Sequence, residues 1–334
     1  MINSRMKYYL AAAMAAVVML LPCRVMAQAD AQFSQYFQVK NYYNPAAIGT
    51  GDKLNIRGGG RMQWVGVENA PLSFVGTAET ALKLFGQRFG AGVLLQQESY
   101  GLFKNLNIGA QLGYKLKLFK GKGELTIGLQ LGFTTQSFKG TEVFIPDDDD
   151  YHQSADNAIP QKDLEGNAFD CGFGLFYTHG IWWGGLSATH LTNPMISLKS
   201  ETGNTSSEQE DYEFEIARSL YLMAGCNIPI KNTLFEVMPS LFVKSDLNFF
   251  TGEITLRGRY NKFLSAGIGY RYNDAVTIML GGEFKGFFLG YSYDYPVTSI
   301  ARASSGSHEV WAGYSLKLDF SDKNKNKHKS IRIM

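Results

Sequence analysis

Cysteine is nearly absent from this chain, with three in 334 residues, at positions 23, 171 and 226. So few, so far apart, exclude a disulfide framework. Beyond the first thirty residues no apolar run approaches the roughly 18–20 residues of a membrane-crossing helix, and no stretch shows a helical amphipathic period. Charge of one sign is lacking too: 32 basic residues face 30 acidic ones. That balance excludes nucleic acid as the partner implied by composition. Neither G-x-S-x-G nor H-E-x-x-H occurs, and the five histidines are scattered. No catalytic, cofactor-binding or metal-ligating set is therefore expected, and the chain reads as a non-enzyme.

What is present begins with a leader. Arg5 and Lys7 precede the uncharged run Tyr9 to Leu21, and Val25-Met26-Ala27 ends it with a small residue. The pattern predicts a secretory signal peptide over 1–27. Pro22 ahead of Cys23 argues against a lipid-modified cysteine. Cleavage removes three of the basic residues and leaves 29 against 30.

The rest is dominated by a period of two. From Leu106 to Leu118 every even position is apolar (Leu106, Ile108, Ala110, Leu112, Tyr114, Leu116, Leu118), and the odd ones are Asn, Gly, Gln or Lys. After Phe119-Lys120-Gly121-Lys122 the alternation resumes on the other parity with Leu125, Ile127, Leu129, Leu131 and Phe133. These are two-faced strands joined as a hairpin. The same reading predicts about fourteen strands, from 53–65 through 308–320. Each has about the 9–11 residues that cross a bilayer at a tilt.

A soluble sandwich buries its apolar faces, whereas an outer-membrane barrel turns them to lipid. Link lengths favour the barrel. Those at 83–87, 119–122, 179–181, 230–233, 261 and 285–286 share one end and are short, while the long links 137–167 and 191–218 share the other. Barrels show this asymmetry between periplasmic turns and outer loops. Lys115, Lys117, Glu124, Glu253, Arg257 and Arg271 all sit on the polar parity. Facing lipid at mid-depth, a Lys or Arg would cost about 2–4 kcal/mol, so these residues are expected in the lumen. The fold expected is all-β, a single antiparallel transmembrane barrel over 53–320.

Several short motifs stand out along the chain. They are Gln32-Phe33-Ser34-Gln35-Tyr36 with Tyr43-Asn44-Pro45-Ala46, Arg61-Met62-Gln63-Trp64 before Ala70-Pro71, and His190-Leu191-Thr192-Asn193-Pro194. Tyr291-Ser292-Tyr293-Asp294-Tyr295 with Gly306-Ser307-His308-Glu309-Val310 completes the set. In this order they resemble the PorP/SprF family of the Bacteroidetes type IX secretion system, and the resemblance implies a cell outer-membrane barrel serving protein secretion and gliding motility. Its implied partners are a secreted, adhesin-like surface protein with a C-terminal secretion domain, periplasmic and outer-membrane components of the apparatus, and outer-membrane lipid. A solute channel is the alternative function.

Four features stand apart from the wall. The aromatic segment 28–52, with Phe33, Tyr36, Phe37, Tyr42 and Tyr43, shows no strand period and is expected to lie in the periplasm or against the lumen. Asp147 to Asp150 beside His152 lacks the Gly and Glu of a calcium loop and reads as a solvated outer loop. The tail 321–334, with Lys323, Lys325, Lys327, Lys329 and Arg332, reads as a solubilising end. Cys171 and Cys226 fall on apolar parities, as small lipid-facing residues without a disulfide.

Overall fold

The computed structural model of the chain describes residues 30–51, 53–143, 160, 162–200 and 212–318. Its first seven strands are β1 (Lys53–Met62), β2 (Leu72–Leu84), β3 (Gln87–Tyr100), β4 (Phe103–Leu118), β5 (Gly123–Phe138), β6 (Leu164–His179) and β7 (Trp182–Thr189). Two short strands follow, β8 (Met195–Ser200) and β9 (Tyr212–Glu215). The remainder are β10 (Ser219–Cys226), β11 (Ile228–Pro229), β12 (Phe235–Ser245), β13 (Phe250–Tyr260), β14 (Leu264–Arg271), β15 (Ala275–Phe284), β16 (Phe287–Pro296) and β17 (Ser307–Lys317).

Sequential staves pair antiparallel, and β17 pairs with β1 from Lys53↔Lys317 to Met62↔His308. The sheet is therefore a closed barrel of fourteen staves, with β11 continuing β10 past Asn227. Closure removes the sheet edge that would otherwise expose unpaired amide groups to hydrocarbon. The expected strands match these staves to within a few residues, except that β6 begins earlier, at Leu164. The last strand ends at Lys317, whereas the sequence predicted it to 320.

Burial runs opposite to that of a soluble sheet. Along β4 the polar parity is buried, with Gln111 and Lys115 at 4%, while Ile108 and Leu112 are half exposed. An apolar face turned outward and a polar face turned inward is the lipid-facing arrangement. Lys115 pairs with Glu124 across the β4–β5 hairpin at 2.8 Å, and Glu253 pairs with Arg271 across β13–β14 at 2.9 Å. Each charge is neutralised on the inner face.

Two expectations need correction. The link 191–218 is not wholly irregular, since β8 and β9 form a hairpin and β8 also pairs with the first residues of β6. It stands on its own apolar cluster of Leu164, Ile196, Leu198 and Ile216. Alternation over so few residues is too brief to announce a strand. Cys226 lies on the outward parity but is only 3% exposed, at the end of β10 opposite Trp182, so it does not face lipid openly. Both cysteines are free.

Candidate functional site in the barrel lumen

Residues 30–51 occupy the inside of the barrel. A 3-10 turn (Tyr36–Gln38) and a one-turn helix (Lys40–Tyr43) give the segment its shape. Asn44 ends the helix, accepting from the Ala46 N–H at 2.9 Å and donating to the Leu175 and Leu186 carbonyls of β6 and β7. Its contacts reach the wall on every side. Asn41 meets Gln111 on β4, Ser187 on β7 donates to the Tyr43 carbonyl, Tyr36 donates to Ser240 on β12, and Ser34 reaches Asp294 on β16. Only a segment near the barrel axis can do this.

Aromatic burial supplies the packing. Phe33, Tyr36 and Tyr43 are fully buried and meet Trp311, Tyr221 and Phe242 of the wall. Phe33 lies edge-on to Trp311 with centroids 5.3 Å apart, and Tyr36 stacks on Phe242 at 4.9 Å. Such pairs add about 0.5–1.5 kcal/mol beyond area burial. Two wall glycines are dictated by this approach. A Cβ on Gly128 would lie 2.3 Å from the Ala46 nitrogen, and one on Gly174 would lie 2.1 Å from the Asn44 side-chain oxygen.

The polar anchorage is concentrated at the closing seam. Arg61 on β1 and Glu309 on β17 stand directly opposite each other and pair at 3.2 Å. The Ser34 and Gln35 amides each donate to one oxygen of Glu309, both at 2.8 Å, so the segment grips the last strand through its backbone. The Ser34 hydroxyl donates to Asp294 at 2.7 Å and accepts from Arg271 at 2.7 Å, while Arg61 pairs with Asp294 at 2.7 Å. Trp311 donates to Glu309 at 2.5 Å. Charged groups this deep are stable only when paired and hydrogen-bonded.

A second anchor lies toward the long-loop end. Asp30 receives the Tyr221 hydroxyl and pairs with His190 Nε2 at 3.0 Å, while its carbonyl takes the Lys244 ammonium. His190 Nδ1 lies 2.7 Å from Asp170. Burial by itself would lower the pKa of this imidazole, but the Asp30 and Asp170 carboxylates outweigh it and push it up to about 10. Burial would raise that of Asp30, yet His190 and Lys244 hold it well below the carboxylate range. His190 is thus a fixed cation. The two pairings hold the imidazole between a carboxylate of the lumenal segment and one of the wall. Lys40 caps the Trp183 ring at 3.8 Å; burial and the neighbouring Arg257 bring its pKa down to about 8. Between the segment and β1–β2 a cavity of about 160 Å³ remains, lined by Lys40, Asn55, Arg57 and Glu79 among others. That is room for a few waters.

Of the residues singled out in the sequence, Glu253 and Arg271 join the seam network, and Arg257 stacks on Phe37 at 3.3 Å. His308 meets Tyr291 and Tyr293, and His179 stacks on Tyr177. Asp147 to Asp150, His152, the leader and the tail 321–334 lie outside the described residues. Asp30, Asp170, Asp294 and Glu309 were not recognised as site residues. The available signal is the set of short motifs itself, because Ser34-Gln35, Arg61, His190, Asp294 and Glu309 all fall within them.

The family model for the type IX secretion system membrane protein PorP/SprF matches residues 25–314. The chain belongs to the PorP/SprF family. Its motifs, dispersed along the sequence, converge on the lumenal segment. No curated protein matches the chain in sequence. Similar solved structures include the toluene transporter TbuX of Ralstonia pickettii, at 11% identity and a TM-score of 0.49, covering 84% of this chain and 94% of that one. The translocator domain of the autotransporter NalP from Neisseria meningitidis has 13% identity and a TM-score of 0.47, covering 85% and 94%. The toluene transporter TodX of P. putida has 12% identity and a TM-score of 0.47, covering 83% and 93%.

Proposed function

We propose that this PorP/SprF barrel resides in the outer membrane as a closed, non-catalytic platform. It docks or anchors a secreted, adhesin-like protein carrying a C-terminal secretion domain, together with periplasmic parts of the type IX apparatus. The observation that carries the closed state is the lumen filled by residues 30–51 and pinned at both the seam and His190. A free solute path would require that segment to leave.

The client meets the long-loop end, where the β8–β9 hairpin stands on its own apolar cluster. The short-turn end faces the periplasm. Mass spectrometry of surface and culture-fluid proteins from a deletion strain tests the role. Loss of one or a few proteins with the C-terminal secretion domain supports a client-specific platform, and a collapse of all of them supports a core component. No change in that class would sink the secretion role and leave the solute channel.

A further inference from the structure

We propose that the short-turn rim is a binding surface for anionic phospholipid headgroups of the leaflet around it. The connections at this end join β2–β3, β4–β5, β6–β7, β11–β12, β13–β14 and β15–β16. Four of these six carry exposed lysine: Lys120 and Lys122, Lys231, Lys262, and Lys285. None of these lysines has an ion-pair partner among the described residues. Among the described residues, the acids nearest this end are occupied or turned inward: Glu124 holds Lys115, Glu236 holds Arg259, and Glu283 is half-buried on the lumenal parity. The opposite end mixes signs, as in the exposed Lys139–Glu142 pair. With the whole chain near neutrality, a one-signed rim is a matter of placement.

Two further observations point to a ligand outside the chain. First, Lys53 and Lys317 stand directly opposite each other in the β1–β17 ladder, both exposed. Like charges in that position repel, and a bridging anion relieves the repulsion. Second, the turns use residues that their backbone disfavours. Phe85, Phe119, Lys120, Lys262 and Lys285 all have positive φ, near +50°, where Gly or Asn is the ordinary choice. Phe85 is 100% exposed and Phe119 69%. Turn geometry does not explain these side chains, and the ring contacts they make, Phe119 with His179 and Lys285 with Phe284, lie on the exposed rim.

A phospholipid headgroup explains both kinds. The phenyl rings continue the outward apolar band to the depth where acyl chains end, and the adjacent ammonium groups lie at the level of the phosphates. The lysines are distributed from β4 around to β1 rather than clustered on one arc. An annulus of lipid fits that distribution, whereas a single protein partner would ask for a patch. The inference rests on the membrane placement proposed above but not on the secretion role, whose failure would leave lipid selection intact.

The test uses the full chain in nanodiscs of phosphatidylethanolamine with a minor fraction of phosphatidylglycerol. Native mass spectrometry then compares retained lipid with the bulk composition. The wild type is expected to enrich phosphatidylglycerol, by up to about fivefold per contributing lysine, the ratio expected for one lysine at an anionic surface. Enrichment should fall as salt rises. The combined Lys120→Gln, Lys231→Gln, Lys262→Gln, Lys285→Gln variant should lose most of it, and the matching Arg variant should keep it. Should the Gln variant not fold, the Arg variant and the salt series decide the matter. Salt-independent retention, or equal enrichment in wild type and Gln variant, overturns the proposal. So does unchanged lipid enrichment accompanied by loss of a co-purifying acidic protein, which would make the rim a protein interface.

Discussion

The two sides of the lumen hold the same segment by opposite means. On the side of β16, β17 and β1 it is held by charge, through Asp294, Glu309 and Arg61 closing on Ser34 and Gln35. Along the middle of β5 and β6, short of the Asp170–His190 anchor, the wall offers bare backbone, and Gly128 and Gly174 admit Pro45-Ala46 and Asn44. The first side contains the seam where the barrel closes, and the second is a pair of strands consecutive in the chain. A seam gains more from cross-bridging, because Glu309 ties the last strand to the first through Arg61 and to the lumenal segment through two amides. The β5–β6 pair carries no closing seam and needs only to make room.

Glu309→Ala should separate the two sides most sharply. It strips Arg61 of one carboxylate and leaves two buried amides without an acceptor, a loss of about 3–5 kcal/mol. A large fall in the thermal midpoint of the detergent-solubilised barrel is expected, with conductance appearing as the segment loosens. Gly128→Val probes the opposite wall. Its side chain collides with backbone and not with a flexible tip, so a cost of about 1–3 kcal/mol is expected. Electrical recordings should then show opening with the seam ion pairs intact.

Ser34→Ala removes one hydroxyl shared by Asp294 and Arg271, and a loss of about 1.5–3 kcal/mol is expected. Ser34→Thr, which keeps the hydroxyl, should recover part of it. A fourth effect is pH-dependent. The pKa of His190 is raised in the folded state to about 10 from an ordinary value of 6.5. Its contribution is therefore complete below about 6.5 and is lost as pH rises through about 10. The midpoint measured between those limits should decline with pH, and His190→Gln should flatten that decline.

The wall was legible in the sequence because its signal is local. Each strand carries its own parity, so Leu106 to Leu118 declares a lipid face without knowledge of its neighbours. Link lengths then oriented the strands. The lumenal segment had no such signal: the partners of Ser34 lie at Arg61, Arg271, Asp294 and Glu309, far along the chain, and its aromatic residues follow no period. Glycines were equally opaque. Gly128 and Gly174 look like any other strand glycine in the sequence, yet their neighbours show that they accommodate the segment. For Cys226, parity gave the direction of the side chain but not what covers it. The β8–β9 hairpin is too short for alternation to stand out.

The most direct measurement is conductance in planar bilayers, comparing the full chain with a variant lacking residues 31–46. A barrel filled by its own N-terminal segment is expected to show no steady conductance until that segment is removed, while both forms migrate as heat-resistant folded barrels. A large, steady conductance from the intact chain would contradict the closed lumen and make this protein a channel.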